Sequence, residues 1–373
     1  MTVLALAGDV FMNEALRKAT KPRIHSHEYW LADGRIVNLE QVLAELNPIE
    51  SKGSLVGPPK LAHSLRSDMG VTAVAGANNH THDCGDAGIH STLRSLDDAE
   101  LPVAGLGRDD ADATKAVTLS DGLVLMSLCD YGRPYLQQVQ TAQGRPGVAG
   151  LRFDRIYKML DGLAAGTQAI VFVHWGREHV WFPSARDLQL ARLILSHPRV
   201  ALVVGSHPHR IQGWVSHRGK RAYMSLGNFF FDEFLIDPPQ RISAEQPSPS
   251  FPTTSAYHRV SETTWKRWPY VNRLSMIVMY DSETEASKPM LVEQRDAEVR
   301  QLPPGRNLAV LAFVRLLSTL YSSPAPIYRV TSRVCNSASW GRYYARIAAY
   351  RLRTVGPRET LRRTARTVRS LLA

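Results

Sequence analysis

Cysteine is scarce in this chain. Cys84, Cys129 and Cys335 are its only three, and no two of them sit at zinc-ribbon or CxxC spacing. An odd, scattered set does not make a disulfide framework, and a reduced compartment fits it. Long apolar runs are missing too, since none reaches the ~18 residues of a membrane-spanning helix. Residues 2–7 are apolar, but they are few, have no basic segment before them and run directly into Gly8-Asp9. The expectation is therefore a chain without signal peptide or transmembrane helix, cytoplasmic or peripheral at the inner membrane face. Acid is nearly absent from the last fifth. Residues 305–373 hold thirteen arginines, no lysine and one acid, Glu359, a net +12 that leaves −1 for the rest of a chain whose formal charge is +11. Any contact with a polyanion or a membrane surface is thus a matter for this tail alone.

With 373 residues, 44% of them hydrophobic and 21% charged, the chain can bury a large core of ordinary globular composition. Apolar runs at 3–7, 71–75, 123–128, 169–173, 200–204 and 222–226 are rich in Val, Ile, Leu and Ala and mostly do not alternate. Strands buried on both faces read this way. Helix-like stretches at 88–99, 154–165 and 185–196 lie between them, so the fold class is α/β and layered. Prolines among serines and threonines mark 237–270 as a loop insertion, within which Trp265-Lys266-Arg267-Trp268 reads as a loop anchor or a stacking patch. Strand-like stretches at 273–280 and 290–293 follow, and then helical spacing at 307–321, 341–353 and 357–372.

Polar residues cluster where the runs end. Asp9 follows the first, Asn38 and Glu40 a weaker run at 35–37, and Asn78, Asn79, His80 and Asp83 the run at 71–75. His174 and Glu178 follow the run at 169–173, His207 and His209 that at 200–204, and Asn228 that at 222–226. In a layered α/β sheet the strands' carboxyl ends converge on one ligand-binding crevice. Singly, such residues are ordinary turn or core chemistry. Together they form the carboxylate, imidazole and carboxamide mixture that divalent cations take.

Six ordered motifs carry a resemblance: GDV (8–10), NLE (38–40), ANNHTHDCGDAGIHST (77–92), HWGRE (174–178), GSHPHRIQG (205–213) and SLGNFFFD (225–232). The chain resembles the CapA family of capsule or poly-γ-glutamate biosynthesis proteins, related to PgsA and similar to the calcineurin-like metallophosphoesterases. The resemblance implies a four-layer αββα sandwich over residues 1–300, with two divalent ions (manganese, zinc, iron or magnesium) at its edge. The helical C-terminal extension, 301–373, lies outside it. Asp9 then matches the first ion's carboxylate and Glu40 the bridging one. Asn79, His174 and His207 match the second ion's ligands, and His209 turns to the first. His80 stands where such enzymes keep a general acid, with Asp83 as its partner, and Asn38, Glu178 and Asn228 are candidates for substrate contact. Two departures stand out. The family of phosphoesterases shows Asp-x-His where this chain has Asp9-Val10-Phe11, leaving the first ion weakly held or absent. Many CapA-type proteins also begin with a membrane anchor, whereas the first motif here starts at residue 8.

Two functions follow from the resemblance. One is a metal-dependent phosphoester hydrolase of capsule or poly-γ-glutamate biosynthesis. The other is a non-catalytic, polymer-binding or scaffold component of a capsule synthesis or export complex. Expected partners are an anionic polymer or phosphoester substrate, capsule synthetase subunits and, through the arginine tail, an anionic membrane surface. Nucleic acid is not expected.

Overall fold

Two β-sheets take up the apolar runs. The computed structural model describes residues 2–18, 20–48, 54–130, 144–236, 264–354 and 356–362. Most of the 237–270 insertion and the end of the last expected helix lie outside these. Among the described residues the first sheet has nine strands. Its centre is parallel: Val3–Phe11 pairs with Gly34–Leu39, which pairs with Ala73–Ala75 and then Val103–Ala104. On the other side of Val3–Phe11 the sheet is extended by antiparallel Leu274–Asp281 and Ala286–Arg295. The second sheet has six strands, with Leu123–Asp130, Gln168–Trp175, Val200–Ser206 and Lys220–Tyr223 parallel in that order.

The missing alternation has its cause in what covers the sheets. Leu4, Leu6 and Ile36 of the first sheet share one buried cluster with Leu125, Ile170, Phe172 and Leu202 of the second. The opposite face of the first, with Ala5, Ala7 and Val37, packs on Tyr29, Leu65 and Leu96. The opposite face of the second, with Val171 and Val173, packs on Ile156, Leu188 and Ile194 of the helices Phe153–Asp161 and Ala185–Ser196. Each strand is thus apolar on both sides. This is a mixed α/β fold.

The expected strand at 222–226 is followed at once by another. Beyond Lys220–Tyr223, Met224 and Leu226 still donate to the Gly213 and Gly205 carbonyls, and the chain then turns at Gly227 with φ +75°. Asn228–Phe231 then joins the other sheet, parallel to Val3–Phe11, with Asn228 opposite Asp9. The crossing is tight. A Cβ on Gly8 would stand 1.8 Å from the Gly227 carbonyl oxygen, so only glycine fits beside Asp9.

The expected helix at 307–321 is Pro304–Tyr321, and that at 341–353 is part of the longer Ala325–Thr354. Their inner faces join the outer cluster of the second sheet through Leu317, Tyr321 and Tyr328. The Tyr321 hydroxyl donates to the Trp181 carbonyl at 2.6 Å, and Tyr328 donates to the Pro183 carbonyl at 2.6 Å. Trp268 is buried and donates through Nε1 to the Asp232 carbonyl, so this half of the tryptophan pair anchors its segment. Among the described residues no helix is long and apolar enough to cross a membrane.

Candidate metal centre

Strand ends bring the polar clusters together. Asp9 lies in the bulged end of Val3–Phe11, in register with both Asn38 and Asn228. Glu40 follows the end of Gly34–Leu39, and His174 near the end of its strand stands opposite Ser206. His207 and His209 come directly after Val200–Ser206. Both have left-handed backbones, φ +94° and +52°, a conformation costing on the order of 1–3 kcal/mol per non-glycine residue. That contortion lets one short loop send two imidazoles inward.

The result is two groups of three that share a member. Glu40, His174 and His207 each offer a ligand atom, all within 4.8 Å of one another, and so do Asp9, Glu40 and His209. All five residues are buried. Glu40 Oε1 lies 3.6 Å from His174 Nε2 and 3.7 Å from His209 Nε2. Asn79 Oδ1 is 2.6 Å from His174 Nε2, which adds a carboxamide to the first group.

The residues fit a divalent ion. Two carboxylates, Asp9 and Glu40, are wholly buried side by side. Burial of a carboxylate costs several kcal/mol unless a cation or strong donors compensate it. Burial, reinforced by the His207, His209 and His80 imidazoles and opposed by Glu178, pushes His174 well below its ordinary 6.5. A neutral imidazole with an available lone pair is the form that binds metal. The far nitrogens are held in place. His174 Nδ1 lies 2.9 Å from Ser206 Oγ, and His209 Nδ1 lies 2.8 Å from Asn228 Oδ1. With Nδ1–H donating to Asn228, the Nε2 lone pair of His209 faces Glu40.

The remaining candidates take definite places. His80 Nδ1 is 2.8 Å from Asp83 Oδ2, and that oxygen also accepts from the Leu55 backbone N–H at 2.7 Å. Asn38 donates through Nδ2 to Asp9 Oδ1 at 2.8 Å, and Asn228 meets His209 through Oδ1, so each amide touches a member of the ligand groups. Glu178 is partly buried, its carboxylate 3.6 Å from His179 Nε2. His82 turns to Asp86, 3.0 Å away at the start of the Gly85–Asp98 helix. Sequence reasoning passed over three neighbours of the centre. Ser206 lay inside a quoted motif, and His179 directly after another. Asn272 carried no local signal, yet its amide donates to the His209 carbonyl at 2.7 Å.

The family described as "Bacterial capsule synthesis protein PGA_cap" matches residues 3–233. The PGA biosynthesis protein CapA of Bacillus subtilis (strain 168) is 30% identical over 172 residues, 44% of each chain. The capsule biosynthesis protein CapA of Bacillus anthracis is 27% identical over 171 residues, 44% of this chain and 41% of that one. The matched part thus spans less than half the length of either protein. An uncharacterized protein, y4uA of Sinorhizobium fredii, is 22% identical over 80% of this chain and 81% of its own. With the family's match covering more than half of its residues, and the strand-end motifs folded into one buried centre, the chain belongs to the PGA_cap family of bacterial capsule synthesis proteins.

Proposed function

We propose that the chain is a divalent-metal-dependent phosphoester hydrolase acting in capsule or poly-γ-glutamate synthesis. The observation that carries this reading is the shared Glu40, one carboxylate common to two compact ligand groups. In this reading Asp9, Glu40 and His209 hold one ion, and Glu40, Asn79, His174 and His207 hold the other. Ions so held supply Lewis-acid polarisation of a phosphoryl oxygen and an activated water. Asp83 accepts from Nδ1–H of His80 and favours the imidazolium, whose second proton, on Nε2, would go to the leaving oxygen and leave the neutral ring. Asn38 and Asn228 orient Asp9 and His209. The two sheets, with apolar clusters between and outside them, support the αββα sandwich of the metallophosphoesterases over residues 1–300. The helices after residue 301 form an extension whose arginines suit an anionic membrane surface.

One observation favours a scaffold instead. Phe11, at the position of the missing imidazole, is buried among Leu55, Phe231 and Trp268. The group of Asp9, Glu40 and His209 therefore has no second histidine from its own strand. Metal analysis after purification with manganese or zinc, together with an aryl-phosphate assay, separates the two readings. The hydrolase reading expects close to two ions per chain and measurable turnover. Glu40→Ala should remove both ions and reduce turnover at least ~1000-fold, because it takes a ligand from each group. Wild-type protein that retains no ion and hydrolyses nothing would leave the polymer-binding scaffold.

A further inference from the structure

His209 is the weak point of the two-ion reading, because it is the one imidazole in its group. Its surroundings are unusually well built, and part of them comes from outside the residues that match the family. Asn272, in the turn Tyr270–Asn272, donates from Nδ2 to the His209 carbonyl at 2.7 Å and stands 3.2 Å from His179 Nδ1. His179 in turn donates its backbone N–H to the Pro208 carbonyl at 2.9 Å. Successive carbonyls of the contorted 207–209 loop are thus held from two distant segments. The His209 ring packs 5.2 Å from the Trp268 ring and 5.1 Å from that of Phe231. Trp268 is itself fixed by its bond to the Asp232 carbonyl. The match to the PGA_cap family runs over residues 3–233, so Trp268 and Asn272 lie beyond that match.

We propose that Asn272 and Trp268 are positioning residues for the first ion, a clamp that compensates for the histidine replaced by Phe11. This rests on the two-ion reading above. A ligand held in one orientation loses less entropy on binding, and a left-handed backbone stays in place only where its neighbours over-determine it. Asn272 supplies the donor that fixes the His209 backbone, and Trp268 blocks rotation of the ring away from Glu40. With Asn228 on Nδ1, the ring is held on its edge, its face and its main chain. One imidazole and two carboxylates then suffice where two imidazoles are usual.

Calorimetric titration of the metal-stripped full chain with manganese tests the clamp. Wild type should show two binding steps. Asn272→Ala and the isosteric Asn272→Asp, which lacks the donor, should weaken one step by about 10–100-fold and leave the other within twofold. Trp268→Ala should do the same, and Trp268→Phe, which keeps a ring against His209, should restore at least part of the loss. The retained second step is the control for folding, since a collapsed protein would lose both. Two steps in wild type with both unchanged in Asn272→Ala and Asn272→Asp would overturn the clamp and leave the metal reading intact. A wild type with no binding step would overturn both.

Discussion

His80 and Asp83 form the pair with the most direct consequence for chemistry. Their 2.8 Å contact is buried, and the Leu55 N–H fixes the carboxylate from behind. An imidazole so oriented matters most when the leaving oxygen is a poor one. His80→Gln should lower turnover of an alkyl phosphate by about 100–1000-fold, and that of a nitrophenyl phosphate by tenfold or less. Asp83→Asn should fall in between, with the ion content of both variants unchanged. Equal losses on the two substrates would mean that His80 does not protonate the leaving group. These residues were legible in the sequence because each follows an apolar run within a few positions, as do Asp9, Glu40, His174 and His207. Asn272 was not. It sits after a proline-rich stretch, and its role depends on a turn that meets the His209 loop from 63 residues away. No local pattern encodes such a meeting.

At the scale of elements, the crossing at residues 223–231 decides whether the centre forms. It is pinned at its far end by Asp232, which accepts from Arg17 Nε at 2.8 Å and from the Asn13 N–H at 2.9 Å. Burial pushes the Asp232 carboxyl up to about 6 from an ordinary 3.8, although the Arg17 guanidinium beside it pulls downward. A carboxyl raised in the folded state binds its proton more tightly there than in the unfolded chain. Its contribution to stability is complete below about pH 4 and is lost as pH rises through about 6. Asp232→Asn cannot titrate. Wild-type stability relative to Asp232→Asn, measured by denaturant unfolding, should therefore fall by on the order of 2–3 kcal/mol between pH 4 and pH 7. A difference that grows over that interval would contradict the raised carboxyl. The crossing itself could not be read from the sequence, since residues 222–226 have the composition of one buried strand. The next strand, Asn228–Phe231, joins the other sheet where Gly8 meets Gly227, two residues that come together only in the folded chain. The parallel strands on either side were readable, because burial on both faces suppresses alternation wherever it occurs.

For the molecule as a whole, charge and exposed apolar surface gather in the same region. The helices Pro304–Tyr321 and Ala325–Thr354 contain no acid. Their inner faces are spent on the second sheet, through Leu317, Tyr321 and Tyr328. Outside, Leu308, Leu316, Ile327, Val330 and Val334 are each more than half exposed, with Arg315, Arg329 and Arg333 exposed among them. The sequence announced the basic excess plainly. It did not separate the packed face from the exposed one, because leucine and valine lie on both. Apolar side chains flanked by arginine are what an anionic lipid surface attracts, at about 1 kcal/mol for each arginine near the headgroups. Sedimentation with vesicles containing phosphatidylglycerol should pull the full chain down at low salt and release it as salt rises, while phosphatidylcholine vesicles alone should not retain it. Arg329→Glu with Arg333→Glu should weaken vesicle binding by about thirtyfold or more, given two lost attractions of that size. Both positions are exposed, so the metal centre and the unfolding midpoint should be unaffected, which makes the vesicle assay specific to the surface. Binding that ignores lipid charge, or that survives both reversals, would assign these arginines to an anionic polymer or to solvent and not to a membrane.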